Sequence, residues 1–416
     1  MAPLTEAEIS ALPTINELLY TLESAQQVFY NRGGWRTYSP QMSFSAQFGL
    51  KNPYSSYVND AHRDDFIVNR LASKRYCCKP NLEFSPFLLR GENRHYPSII
   101  SAFNRGDEDD KLISNLKTGD FVSLIKTHPL CRMFDNGINL PSFSRTFFFE
   151  MNYYGLAQHY NFNTGLIDFT NSTLVAAFFA TTENLGNDVY RPITDTRKHP
   201  YGVIYTHRIN PELTFQMFST VGHQVFRRSG AQWGFAFQEN ISRININTIV
   251  GAYPFRHDAK CSQEIFDQLE QGNRLFPKDI LQPHSHAIRD SREVSFISFA
   301  DNLYANPQDR LKKNLERCES KGISVNPNLK YCFTPDMLDS FFADVKNGIW
   351  EQYCEPIHFP CREGVKLKEE LLALPKIEHY RQYFERRYYD NLYYHTLEDK
   401  YRAERKLRTL CGKTVN

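Results

Sequence analysis

The chain has 416 residues, 41% of them hydrophobic, a composition that fits a folded globular protein and excludes a disordered one. Lys plus Arg number 49 against 47 Asp plus Glu, a net charge of +2, so no global basic field exists to hold a polyanion and nucleic acid is not the partner that composition suggests. Single cores stop growing at roughly 250–300 residues, so the length points to two or three of them.

The opening Met1-Ala2-Pro3-Leu4-Thr5-Glu6 lacks the basic and then apolar regions of a secretory leader, and a cytoplasmic protein is expected. Residues 5–30 carry Ile9, Leu12, Ile15, Leu18, Leu19, Leu22 and Phe29 at steps of three and four, the pattern of one helix face. Residues 33–59, rich in Ser, Tyr, Asn, Gly and Pro, read as irregular. Residues 59–75 read as helical, up to a stop at Pro80. An extended run over 84–89 then leads to Arg90-Gly91, and a boundary is placed near residue 80.

From 81 to 283 strands are expected at 164–169, 201–207 and 233–238, alternating with helices at 148–160 and 172–182. After Pro283 the pattern predicts helices at 293–303, 307–321, 335–347 and 366–410, the last interrupted by Pro375. Tyr380, Tyr383, Phe384, Tyr388, Leu392 and Tyr393 fall at helical spacing and are read as core. The division is therefore 1–80 helical and irregular, 81–283 α+β, and 284–416 helical. No apolar run approaches the roughly 18–20 residues of a membrane span. The nine cysteines form no CxxC pair, which predicts reduced thiols and no zinc site.

Three stretches concentrate polar groups where strands end. In Phe87-Leu88-Leu89-Arg90-Gly91-Glu92 an Arg closes an apolar run, as a guanidinium aimed at a phosphate or carboxylate does, or as one paired with a neighbouring acid does. Gly91 permits close backbone approach. In the second stretch, a helix ends in Gln158-His159-Tyr160. A strand then ends in Asp168-Phe169-Thr170, and an Ala/Phe helix begins after Asn171-Ser172. Asp168 and Thr170 suit either a site or a helix cap, and His159 suits a site or a satisfied core imidazole. The third, Arg227-Arg228-Ser229-Gly230-Ala231-Gln232-Trp233-Gly234-Phe235, sets a basic entry before an aromatic strand. Gln232 can hydrogen-bond a ribose hydroxyl but cannot serve as a general base.

These residues, in this order, resemble the FRG domain family, named for a Phe-Arg-Gly motif. Leu89-Arg90-Gly91 resembles that motif and is followed by Pro97-Ser98-Ile99-Ile100. Gln158-His159-Tyr160-Asn161 and Thr164-Gly165-Leu166-Ile167-Asp168-Phe169-Thr170 resemble its Gln-His-Tyr-Gly and Thr-Arg-Leu-Leu-Asp-Trp-Thr elements. Phe179-Ala180, Arg228 to Phe235 and Leu275-Phe276-Pro277 are similar to the later ones. The resemblance covers about residues 82–282. Leu89 and Phe169 replace Phe and Trp within apolar chemistry, whereas Gly165 replaces an Arg and loses a charge.

The order of motifs is similar to that of ADP-ribosyltransferases, which implies an α+β fold: a mixed-sheet core flanked by N-terminal helices and a mostly helical C-terminal region. The resemblance implies NAD as substrate, with Arg90 on its pyrophosphate or ribose and Asp168 and Thr170 on the nicotinamide ribose. Gln232 would stand where a late Glu acts, and Gly91, His159, Tyr160 and Arg228 would contribute to binding. It implies cleavage of the nicotinamide N-glycosidic bond, no metal, and a toxin or antiviral defence setting. The other reading of the same residues is a non-catalytic nucleotide- or protein-binding module, with the C-terminal helices as a partner surface.

Overall fold

The protein was analysed as a computed structural model that describes residues 4–32, 66–70, 75–80, 82, 85–139, 146–210, 214–222, 224–239, 244–305, 311–334, 337, 343 and 357–358. The helices expected at 335–347 and 366–410, and the irregular stretch 33–59, lie outside the described residues apart from positions 337 and 343. The helices are α1 (Glu6–Ser10), α2 (Ile15–Asn31), α3 (Ala102–Arg105), α4 (Glu108–Lys126), α5 (Pro129–Asn136), α6 (Tyr153–His159), α7 (Thr173–Thr181), α8 (Thr214–Met217), α9 (Arg227–Ala231), α10 (Ala259–Gln268), α11 (Leu281–Asp290), α12 (Phe296–Ala305) and α13 (Leu311–Ser320). The strands through the first half are β1 (Phe66–Arg70), β2 (Tyr76–Pro80), β3 (Phe87–Glu92), β4 (Ile138–Asn139), β5 (Thr146–Phe147), β6 (Leu166–Thr170), β7 (Thr182–Gly186) and β8 (Val189–Pro192). They continue with β9 (Tyr201–Arg208), β10 (Phe218–Thr220), β11 (Gly234–Gln238), β12 (Gly251–Arg256), β13 (Glu293–Ser295), β14 (Ser324–Asn326) and β15 (Ile357–His358).

By contacts the chain gathers into two compact units of discontinuous sequence. The first joins Met1–Ser101, Gly165–Asp279 and Pro356–Val365; the second joins Ala102–Thr164, Ile280–Glu355 and Lys366–Asn416. The first unit is built on a six-stranded sheet of order β10-β11-β6-β3-β9-β12. Every neighbouring pair in it is antiparallel, which corrects the mixed sheet expected from sequence. Apolar alternation looks the same in either strand direction, and the connections decide it. One face of the sheet buries Leu88, Ile167, Phe169, Val203, Tyr205, Phe235 and Phe237. The other buries Leu89, Ile204 and Phe255 beneath Val175 to Phe178 of α7, Ile15, Leu18 and Leu22 of α2, and Ile265 and Phe266 of α10.

Three expectations are corrected in detail. The N-terminal helix is two helices, because Pro13 interrupts the pattern and Thr14 restarts it. The Thr14 hydroxyl accepts from Glu17 N–H while the Glu17 carboxylate accepts from Thr14 N–H, a capping box. The helix expected at 59–75 is replaced over 66–70 by β1, paired antiparallel with β2; Phe66-Ile67-Val68 favours strand. Residues 293–295 form β13, parallel to β14, and only then does α12 begin.

In the second unit Leu112 and Leu116 of α4 pack with Val294, Phe299, Leu303, Cys318 and Ile323. Asp120 of α4 is buried and accepts from Ser295 N–H at 3.1 Å, from the Ser298 hydroxyl at 2.7 Å and from the Ser295 hydroxyl, so it satisfies the chain entering α12. Burial pushes its carboxyl above the usual range against those hydrogen bonds. Among the described residues no helix is long and apolar enough to cross a membrane, and no cluster of three or more His, Cys, Asp or Glu is placed to hold a metal.

Candidate functional site

Arg90 lies on β3 opposite Tyr205 of β9. Its Nε donates to Glu92 Oε1 at 2.9 Å, its Nη2 lies 2.8 Å from the same oxygen, and its Nη1 donates to the Asp168 carbonyl at 3.0 Å. Residues two apart on a strand share a face, so Glu92 is the acid that the strand itself supplies. Burial disfavours the charge, but Glu92 and then Asp168 outweigh it and hold the guanidinium more firmly protonated than usual. The Arg90 side chain is 22% exposed. Gly91 faces the opposite way, and a Cβ there would stand 1.8 Å from the Ala176 carbonyl oxygen of α7. Its role in the fold is to let helix and sheet approach.

Asp168 pairs with Ala236, and Thr170 with Gly234, across β6 and β11. The Thr170 hydroxyl accepts from Ser172 N–H at 3.1 Å, and the Ser172 hydroxyl accepts from Val175 N–H at 3.3 Å; the two together satisfy the entry to α7. Ile167 and Phe169 belong to one face of the sheet, so the alternation turns the Asp168 side chain to the α7 face. There the Tyr190 phenol is pushed up by burial and by the charges of Asp188 and Asp168, with Arg228 opposing.

Arg228 is fully buried and holds Asp188, at the β7–β8 turn, through an ion pair of 2.8 Å. Its guanidinium stands 5.4 Å from the Phe276 ring centre, and Tyr190 stacks on Phe276 at 4.9 Å. Gln232 donates from Nε2 to the Leu275 carbonyl at 3.0 Å. The structure therefore gathers Arg228, Asp188, Tyr190 and Phe276 and ties Gln232 to the adjacent Leu275 carbonyl, while Asp168 acts on this group through its charge on Tyr190. His159 and Tyr160 end α6 in the second unit. Tyr160 is fully buried there, its ring 5.4 Å from that of Phe121.

A cleft of about 710 Å³ opens at Leu275. Its wall is α2 (Tyr20, Glu23, Gln27), the β6–α7 connection (Asn171 to Thr173), Trp233 and Arg274. Thr173 Oγ1 donates to Glu23 Oε1 at 2.9 Å, which ties α2 to the α7 start. Trp233 has φ +53°, in the left-handed region that a bulky side chain rarely enters, and the indole is carried to the cleft by that strained backbone. Sequence reasoning missed the cleft residues on α2 and Arg274. They sit on the polar side of an amphipathic helix and in a short turn, where no motif marks them.

The motifs just located carry the likeness to known proteins. Residues 85–188 match the FRG domain family model. The FRG match takes in β3, α6, β6 and α7 and ends at Asp188, the partner of Arg228. It falls short of the 82–282 that the motifs suggested, leaving the elements around Arg228 to Phe235 and Leu275 to Pro277 outside. The FRG segment also divides between the compact units, with 102–164 in the second and the rest in the first. No curated protein and no solved structure matches the chain.

Proposed function

We propose that the first unit is a nucleotide-recognition module that holds its ligand in the cleft between α2 and the α7 start. The observation that carries this reading is the division of labour among polar groups. Arg90, Arg228 and Gln232 spend donors on Glu92, Asp188 and the Leu275 carbonyl. Glu23 and Arg274, with one neighbour each in Thr173 and the Gln268 carbonyl, and Trp233, packed in part on the α7-side core, line the cleft. About 710 Å³ lies within the roughly 300–1,000 Å³ of small-molecule sites. An aromatic plane, a cation and hydrogen-bonding groups suit a base, a phosphate and a sugar in turn. NAD and ADP-ribose are the first ligands to try, on the likeness to ADP-ribosyltransferases drawn from motif order. The transferase reading instead assigns cleavage of the nicotinamide bond to Arg90, Asp168, Thr170 and Gln232, none of which lines this cleft.

Calorimetric titration with NAD and ADP-ribose, with nicotinamide followed by chromatography in the same samples, tests both. Binding without nicotinamide release supports the recognition module, and release with turnover moves the conclusion to the transferase. Trp233→Ala is expected to weaken ADP-ribose binding about tenfold, the worth of one stacked base. Arg90→Ala is expected to lower the unfolding midpoint while changing affinity less than threefold. The reverse pattern, unchanged stability and lost affinity, assigns the anion to Arg90.

A further inference from the structure

We infer that Glu23, on a helix outside the FRG match, reads the ligand's sugar: its carboxylate accepts from a ribose cis-diol and makes the cleft selective for ribonucleotides over deoxyribonucleotides. The inference rests on the nucleotide reading above. Glu23 is the carboxylate among the described residues that line the cleft. The Thr173 hydroxyl donates to its Oε1 at 2.9 Å, so a side chain on a solvent-facing helix is held at the α7 start. An ionised carboxylate only accepts hydrogen bonds and has room for about four. One is occupied by Thr173; a vicinal diol brings two donors at the right separation, which is how acidic residues recognise ribose in dinucleotide folds.

The same carboxylate repels phosphate, which must go elsewhere in the cleft. Arg274 is the cation on the lining. It donates from Nη1 to the Gln268 carbonyl at 3.2 Å, which fixes the guanidinium and leaves other donors of the fork for an anion. With Trp233 offering a ring face, the acceptor, the cation and the plane match the diol, the phosphate and the base of one nucleotide.

The experiment is calorimetry of the full chain with AMP and with 2′-deoxyadenosine 5′-monophosphate. The wild type is expected to prefer AMP by about tenfold, the scale of one hydrogen bond to a charged group. In Glu23→Gln, which keeps an acceptor for Thr173, AMP is expected to weaken about tenfold and the deoxynucleotide less than twofold, so the preference disappears. Arg274→Ala is expected to weaken both nucleotides equally. A wild type that binds both alike, or a preference that survives Glu23→Gln, overturns the assignment of Glu23 while leaving the nucleotide reading standing. Absence of binding by either nucleotide overturns the nucleotide reading, and the assignment with it.

Discussion

Arg228 is a charge with no exposure to water, and it is paired with Asp188 at 2.8 Å. Removing one member of a buried pair leaves the other unsolvated and costs about 3–5 kcal/mol, whereas removing both charges can be nearly neutral. Asp188 has φ +64°, a conformation Asn tolerates. Asp188→Asn thus isolates the loss of charge from backbone strain. We expect it to destabilise by about 3 kcal/mol in urea denaturation, and Arg228→Met combined with Asp188→Asn to recover a large part of that loss. Additive effects in the double variant would show that the two side chains do not act as a pair. The elements that carry these residues were partly legible: Arg90 lies within the extended run that forms β3, Asp168 within β6, and Arg228 and Gln232 in the stretch that leads into β11. Their partners were not, because Glu92, Asp188 and the Leu275 carbonyl are chosen by side-chain direction and by loops that return from far along the chain.

Strand β3 and helix α7 meet more closely than side chains permit, and Gly91 is the reason. Overpacking typically costs about 1–3 kcal/mol, but here a methyl group would overlap a backbone carbonyl at 1.8 Å. Flexible side chains can turn aside from a clash, and a carbonyl held in a helix cannot. Gly91→Ala is expected to lose at least about 3 kcal/mol by denaturant titration, with circular dichroism checking that the variant folds at all. A loss under about 1 kcal/mol would mean that α7 can slide away from the sheet. At this scale the sequence was most readable where periodicity was strong. The strands β6, β9 and β11 and the helix α7 fall within two residues of expectation at each end. Reading failed where a single Pro or a cap overrode the pattern, and at 66–70, where a strand-favouring run forms β1 in place of the expected helix. Pro13 splits α1 from α2. Pro283, taken as a boundary, instead sits in the first turn of α11, where its missing N–H costs nothing.

Both units carry histidines that folding keeps neutral. His257 lies in the first unit, lowered to about 4 by burial, with its Nε2 at 2.9 Å from the Asn93 carbonyl. His128, in the second, is lowered to about 3 by burial and meets Phe333 edge-on at 5.2 Å. A depressed histidine takes up its proton more readily when unfolded. Stability is therefore full above the unfolded value of about 6.5 and falls as pH drops from there towards the folded values. Each histidine contributes a slope of up to about 1.4 kcal/mol per pH unit in that window. Thermal unfolding at pH 7.5, 6.0 and 5.0 should show a midpoint falling with acidity. His257→Asn, which keeps a donor for Asn93, should flatten the fall; an unchanged slope would assign the acid sensitivity to other groups.

The strand order bears on how this protein can be dissected. β3 lies between β6 and β9, and β6 between β3 and β11; β9 and β11 follow residue 188, where the family match ends. A fragment cut to the matched residues would turn two interior strands into open edges, with unpaired backbone donors and acceptors that invite intermolecular pairing. The recognisable segment and the unit that folds are thus different objects. The N-terminal helices and the strands beyond 188 have to travel with the motif in any transplant, fusion or expression trial.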